Sequence, residues 1–169
     1  MNRTNRSGIL KAGPIGGYEQ KGNYPISARF NKEKLKERVR LIASYKSKIK
    51  LYNMEIKDFI RKVIPRYRKD CFVYFDPPYF KKGKELYTNF FNPCDHKELS
   101  KLIFKVKRIW MITYDDVSEI EELYKDKHMK RFDINYSAAN SGKKSEIIAL
   151  SHDYWPSMSE LEALKMNIR

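Results

Sequence analysis

The 169-residue chain carries 35 Lys and Arg against 21 Asp and Glu, a formal charge of +14, and is rich in aromatics with 12 Tyr and 9 Phe. That length suits one domain with a substantial core, and no apolar run approaches the roughly 20 residues of a membrane span. Met1 to Arg6 lacks a secretory apolar stretch, and two cysteines, Cys71 and Cys94, exclude a disulfide framework or a cysteine-based metal centre, so a reducing cytoplasm is expected.

Residues 1–30 are polar and punctuated by Gly8, Gly13-Pro14, Gly16-Gly17, Gly22 and Tyr24-Pro25, which predicts an extended loop or a short hairpin. Amides freed by glycine, with Arg3, Arg6, Lys11 and Lys21, suit phosphates, and Tyr18 and Tyr24 suit stacking. Gly13 to Gly17 is not a P-loop, because no strand precedes it and no Gly-Lys-Ser/Thr follows. Asn31 is the expected N-cap of a helix over about 32–45, with Leu35, Val39 and Ile42 inward and Lys32, Lys34, Lys36, Arg38 and Arg40 over the rest. Ile49-Lys50-Leu51-Tyr52 alternates like a short strand, and Ile56, Phe59, Ile60 and Val63 form the stripe of a second helix that Pro65 ends. Residues 1–70 hold 19 Lys and Arg against 6 Asp and Glu, whereas residues 71–169 hold 16 against 15. A basic half joined to a near-neutral half implies a polyanion-binding face beside a separate body.

Cys71-Phe72-Val73-Tyr74-Phe75 is a run of β-formers cut off by Asp76-Pro77-Pro78-Tyr79, which predicts a buried strand with an abrupt end. Proline fixes its own φ, supplies no N–H and holds the residue before it extended. Asp76 therefore stands at the strand's carboxyl end, where ligands bind in open α/β sheets. Its carboxylate, an exposed Pro77 carbonyl and the flat Tyr79 ring match an amino group on a planar ring, such as a flipped-out base. The plainer alternative is a strand followed by a proline turn. The loop after it, with Lys81, Lys82 and Lys84, is a candidate lid over phosphates.

Asp95 and Glu98 are expected to cap a helix burying Leu99, Leu102, Ile103 and Val106. Residues 108–114 form a second buried strand, stopped at Asp115-Asp116, and Ser118 with Glu121 caps the next helix. Residues 132–136 and 146–150 make a β-hairpin, and Leu161 and Leu164 mark a short terminal helix. His96, His128 and His152 lack ligand spacing, so no metal site is expected. Helical crossovers followed by a hairpin predict an α/β fold with a parallel sheet and an antiparallel edge.

With these motifs in order the chain resembles the Dam-type DNA adenine methyltransferases. Asn2-Arg3-Thr4-Asn5-Arg6-Ser7-Gly8-Ile9 is similar to the segment opening that family's DNA-recognition region. Gly22-Asn23-Tyr24-Pro25-Ile26 is similar, in altered order, to the stretch that follows it. Asp76-Pro77-Pro78-Tyr79 matches the catalytic motif, and Tyr87 to Phe91 and the Asn135 to Glu146 hairpin fall in the expected places. The resemblance implies a Rossmann-like sheet that transfers a methyl group from S-adenosylmethionine to the N6 amine of adenine in double-stranded DNA. It further implies that Asp76 and the Pro77 carbonyl accept the amine hydrogens, with Pro78 completing the motif. Tyr79 would stack on the base, Asp76 would also touch the cofactor, and Arg3, Arg6 and Ser7 would face DNA.

The family's aromatic-x-Gly-x-Gly loop and the acidic residue on its next strand have no counterpart here. The expectation is therefore a partial methyltransferase sheet whose main cofactor elements come from a separate chain. Residues 1–30 would be the DNA-recognition segment and residues 31–169 the partial catalytic domain. Two other readings stand beside this one: an inactive residual DNA-binding fragment, and a methyltransferase acting on another planar amine or amide.

Overall fold

The structure is a computed structural model that describes residues 3–6, 12–81, 83, 89–135 and 143–152. The chain forms two compact units, Met1–Met54 and Glu55–Arg169.

In the first unit Asn5 and Pro14 form an isolated antiparallel bridge. Beside it the Arg6 N–H donates to the Gly13 carbonyl at 3.0 Å and the Ile15 N–H to Thr4 at 2.8 Å. Gly16 has a φ of +84°, and a Cβ there would come within 2.6 Å of the Tyr24 carbonyl oxygen, so the loop doubles back only because the residue is glycine. The Gln20 side chain ties the loop together, donating to the Ile15 and Gly17 carbonyls and accepting the Ile26 N–H. Helix α1 (Lys32–Ser44) begins as its sequence predicts, with the Asn31 side chain accepting the Lys34 N–H at 3.0 Å. Its expected inner face is not buried, however: Val39 and Ile42 are exposed and Leu35 is half-buried. Residues 49–52 form no strand, and Leu51 is 93% exposed. Both departures have one cause. Among its described residues this unit has no ladder to pair with and no sheet to pack upon, and an isolated strand is not stable in water.

The second unit opens with α2 (Ile56–Asp58), which runs on through a π turn (Phe59–Val63) and a 3-10 turn (Ile64–Arg66). Ile60, Val63 and Ile64 are buried. An open four-stranded sheet follows in the order β1-β2-β4-β3. β1 (Phe72–Phe75) lies parallel to β2 (Ile109–Asp115), and β4 (Lys143–Leu150) lies antiparallel to both β2 and β3 (His128–Asn135). Helix α3 (Pro93–Ile103) is in the crossover from β1 to β2, and α4 (Ser118–Tyr124) joins β2 to β3. The mixed α/β architecture with a closing antiparallel pair is as expected.

Helix α3 starts two residues before the predicted cap and includes the exposed Cys94. Pro93 needs no N–H partner in a first turn, so Asn92 becomes the N-cap. Its side chain accepts the Asp95 N–H while the Asp95 carboxylate accepts the Asn92 N–H. Glu98 accepts instead from Lys57. Val117 precedes α4 with no side-chain cap, and the expected cap Ser118 donates to the Glu119 carboxylate.

Trp110, Ile112 and Tyr114 alternate along β2 into a core shared with Leu99, Ile103, Ile120 and Tyr124 of the helices and with Phe75, Ile147 and Ala149. β1 is not the fully buried strand its composition suggests. Among the described residues it pairs on one side only, and Phe72 and Tyr74 are 57% and 50% exposed. No helix among the described residues is long and apolar enough to cross a membrane.

His96 lies in the core, with Nδ1 3.0 Å from the Tyr114 hydroxyl and the Phe80 and Phe91 rings against it. Among the described residues its Nε2 has no hydrogen-bond partner, and burial pushes the imidazole pKa below its ordinary value. The unfolded chain therefore takes up a proton near pH ~6.5 that the folded chain resists. The neutral ring's contribution is complete above that pH and is lost progressively below it. Thermal unfolding midpoints should drop between about pH 7.5 and about pH 5, and His96→Leu should flatten that drop. Parallel pH profiles for the two proteins would refute the assignment.

Candidate active site

Neither Pro77 nor Pro78 can donate to a ladder, so strand pairing stops after Phe75. Asp76 is exposed at the carboxyl end of β1, while Pro78 and Tyr79 are half-buried. Pro77 is buried, where its sequence suggested an exposed carbonyl. The chain folds back over the proline pair, and a Cβ on Gly83 would lie 3.7 Å from Pro78 Cβ. The Asp76 carboxylate is thus the accessible acceptor of the corner.

Side chains of β2 and β4 replace the missing ladder. The Thr113 hydroxyl lies 2.7 Å from the Tyr74 hydroxyl and 3.4 Å from Asp76 Oδ1. Asp115 Oδ1 accepts the Phe80 N–H at 2.7 Å, and Oδ2 accepts the Lys81 N–H at 2.9 Å. The Tyr79 hydroxyl donates to Glu146 Oε1 at 2.5 Å. Glu146 is only 7% exposed and stands directly opposite Asp115 in the β2–β4 register.

Sequence reasoning singles out none of Thr113, Asp115 and Glu146 for this corner. A signal existed for two of them. Asp115 terminates an apolar strand as Asp76 does, and Glu146 heads the apolar run Ile147 to Leu150. Thr113, inside its strand, carries no such mark.

The expected DNA contacts divide between the units. In the first, Arg6 is exposed and Arg3 half-buried, and an added Cβ on Gly17 would lie 3.7 Å from Arg6 Nη2. Tyr18 on the same loop is 90% exposed. In the second unit the Lys81 side chain is exposed. Its cation adds to the pull of the Glu119 backbone N–H and the Ser118 hydroxyl, which together hold the Glu119 carboxyl low. Ser7, Lys11 and Lys82 lie outside the described residues, as do Tyr87 and Thr88 and the terminal segment carrying Leu161 and Leu164. A cavity of about 460 Å³ lined by Ile60, Arg61, Leu102 and Arg108 lies at the opposite end of β2 and shares no residue with the corner.

The arrangement offers an exposed carboxylate for amine hydrogens beside an aromatic ring anchored through its hydroxyl. The family model for D12 class N6 adenine-specific DNA methyltransferases matches residues 1–138. No curated protein matches the chain.

If the Asp115 carboxylate holds the turn, Asp115→Ala should speed amide exchange at Phe80 and Lys81. It should also lower stability by about 1–3 kcal/mol, because two charge-assisted hydrogen bonds go with one side chain. Denaturant titration and residue-resolved hydrogen exchange measure both effects, and unchanged protection at Phe80 and Lys81 would rule the carboxylate out.

Proposed function

The chain belongs to the D12 class N6 adenine-specific DNA methyltransferase family, and from that premise we propose that the Asp76–Tyr79 corner holds an adenine extruded from DNA for methylation at its N6 amine. The observation that carries this reading is the exposed Asp76 carboxylate at the end of β1 with the Tyr79 ring anchored beside it. S-adenosylmethionine, when bound, supplies an electrophilic methyl group on a sulfonium sulfur.

The chain's own residues orient the nucleophile. An adenine amine is a weak nucleophile because its lone pair is delocalised into the ring. Asp76 accepts an amine hydrogen, which returns electron density to the nitrogen and directs its lone pair. Pro78 keeps the turn rigid, and Tyr79 stacks on the extruded base. Positioning and electrostatics supply the rate enhancement.

Of a cofactor pocket, Asp76 is the residue here that would touch the bound group. Among the described residues no strand lies beside the outer edge of β1, and the exposed Phe72 and Tyr74 suit a further layer. We read that edge as the seam where a partner chain completes a Rossmann-like sheet and the cofactor site. Residues 1–30 act as the DNA-recognition segment and residues 31–169 as the partial catalytic domain. Arg3, Arg6, Ser7, Lys11, Lys81 and Lys82 meet phosphates of double-stranded DNA, and the charge surplus of residues 1–70 supports this.

The test mixes the full chain with the product of the reading frame immediately upstream, labelled S-adenosylmethionine and unmethylated genomic DNA. The wild-type pair should label adenine N6, and Asp76→Ala should lower transfer by roughly 100-fold or more, a loss in the range for removing a key electrostatic contact, while DNA affinity holds. Full transfer by that variant would sink the corner assignment. Separately, Arg6→Ala should weaken DNA binding across sequences and reduce the slope of log affinity against log salt by about one. An unchanged slope would remove Arg6 from the phosphate contacts.

A further inference from the structure

Glu146 occupies a position where its charge is costly. It is buried in β4, and its register partner on β2 is the acid Asp115. Like charges directly opposite in an antiparallel pair destabilise it, and a buried carboxylate requires hydrogen-bond donors. Yet β4 continues from Glu146 with Ile147, Ile148, Ala149 and Leu150, so an apolar residue would serve the fold better. The catalytic corner brings donors to both acids: the Phe80 and Lys81 N–H groups to Asp115, and the Tyr79 hydroxyl to Glu146.

A tyrosine and a phenylalanine offer much the same face to a stacked base, so stacking alone does not explain the hydroxyl. An anchor does. With its far end held at 2.5 Å by a buried carboxylate, the ring has a fixed axis.

We propose that Glu146 is a positioning residue for methyl transfer, acting through the Tyr79 hydroxyl to set the plate on which the extruded base stacks. Asp115 fixes the backbone that follows. The proposal rests on the catalytic reading of the Asp76–Tyr79 corner, and it makes no charge-transfer demand on Glu146. What Glu146 supplies is a hydrogen-bond acceptor in the right place.

The transfer assay with the upstream product and unmethylated genomic DNA tests this. Glu146→Ala should lower kcat by about 10- to 100-fold, as a misplaced reacting group does, with the half-saturating DNA concentration little changed. Glu146→Gln retains a carbonyl acceptor and should stay within roughly threefold of wild type on that scale. Tyr79→Phe should resemble Glu146→Ala, and the double variant should be no worse than either single one, since both remove the same link. Circular dichroism separates these losses from misfolding, and the near-isosteric Glu146→Gln and Tyr79→Phe keep the test open if Glu146→Ala does not fold. Wild-type rates in Glu146→Ala or Tyr79→Phe, equal damage in Glu146→Gln and Glu146→Ala, or multiplicative losses in the double variant would each overturn the positioning role while leaving Asp76 its part. A wild-type pair that transfers nothing would remove the catalytic reading itself, and this assignment with it.

Discussion

Two carboxylates facing each other across β2 and β4 govern the geometry of the corner. The proline pair after Asp76 removes two backbone donors and ends the ladder, so nothing in the strand itself holds the chain beyond that point. Asp115 and Glu146 repel each other and need donors, while residues 79–81 offer two amides and a phenol with no ladder to join. Each side satisfies the other. The exchange places a rigid turn at the carboxyl end of β1 and leaves the Asp76 carboxylate facing outward.

Among the described residues the sheet ends in β1 on one side and β3 on the other, and the corner sits at the β1 end. Trp110, Ile112 and Tyr114 of β2 are buried with side chains of α3 and α4, and β4 and β3 complete the antiparallel flank. β1 has a neighbour on one edge and half-exposed aromatics on Phe72 and Tyr74. A corner at the end of an edge strand can grip one side of a ligand and leaves the other open. The corner stands at the end of β1, which is why the proposed partner chain belongs there rather than at β3.

Local rules were legible where one residue type decides the outcome. Asn31 starts α1 because a short amide side chain meets an orphan N–H, and Asp76-Pro77-Pro78 stops β1 because proline cannot donate. The hairpin of β3 and β4 follows from an alternating run and an apolar run separated by polar residues. The same rules misplaced the start of α3, where Asp95 is the third residue of a capping box built on Asn92. They also misjudged Val39, Ile42 and residues 49–52, whose apolar spacing is real but finds nothing to pack against among the described residues of its own unit. Periodicity describes what a segment can bury, and burial needs a partner.

The sequence alone therefore determined the strand that ends in Asp76, the uneven charge and the ordered motifs that indicate a family, all properties of short stretches read in order. Only the tertiary structure decided what supports the corner. Phe80 reaches Asp115 across 35 residues, and Tyr79 reaches Glu146 across 67. Those contacts depend on strand order and on register, in which a slip of one residue would turn Asp115 and Glu146 to the other face of the sheet. No local preference encodes that alignment. It comes from packing Phe75, Trp110, Ile112, Tyr114 and Ile147 into one core, which pins the strands and so carries the two acids to the turn.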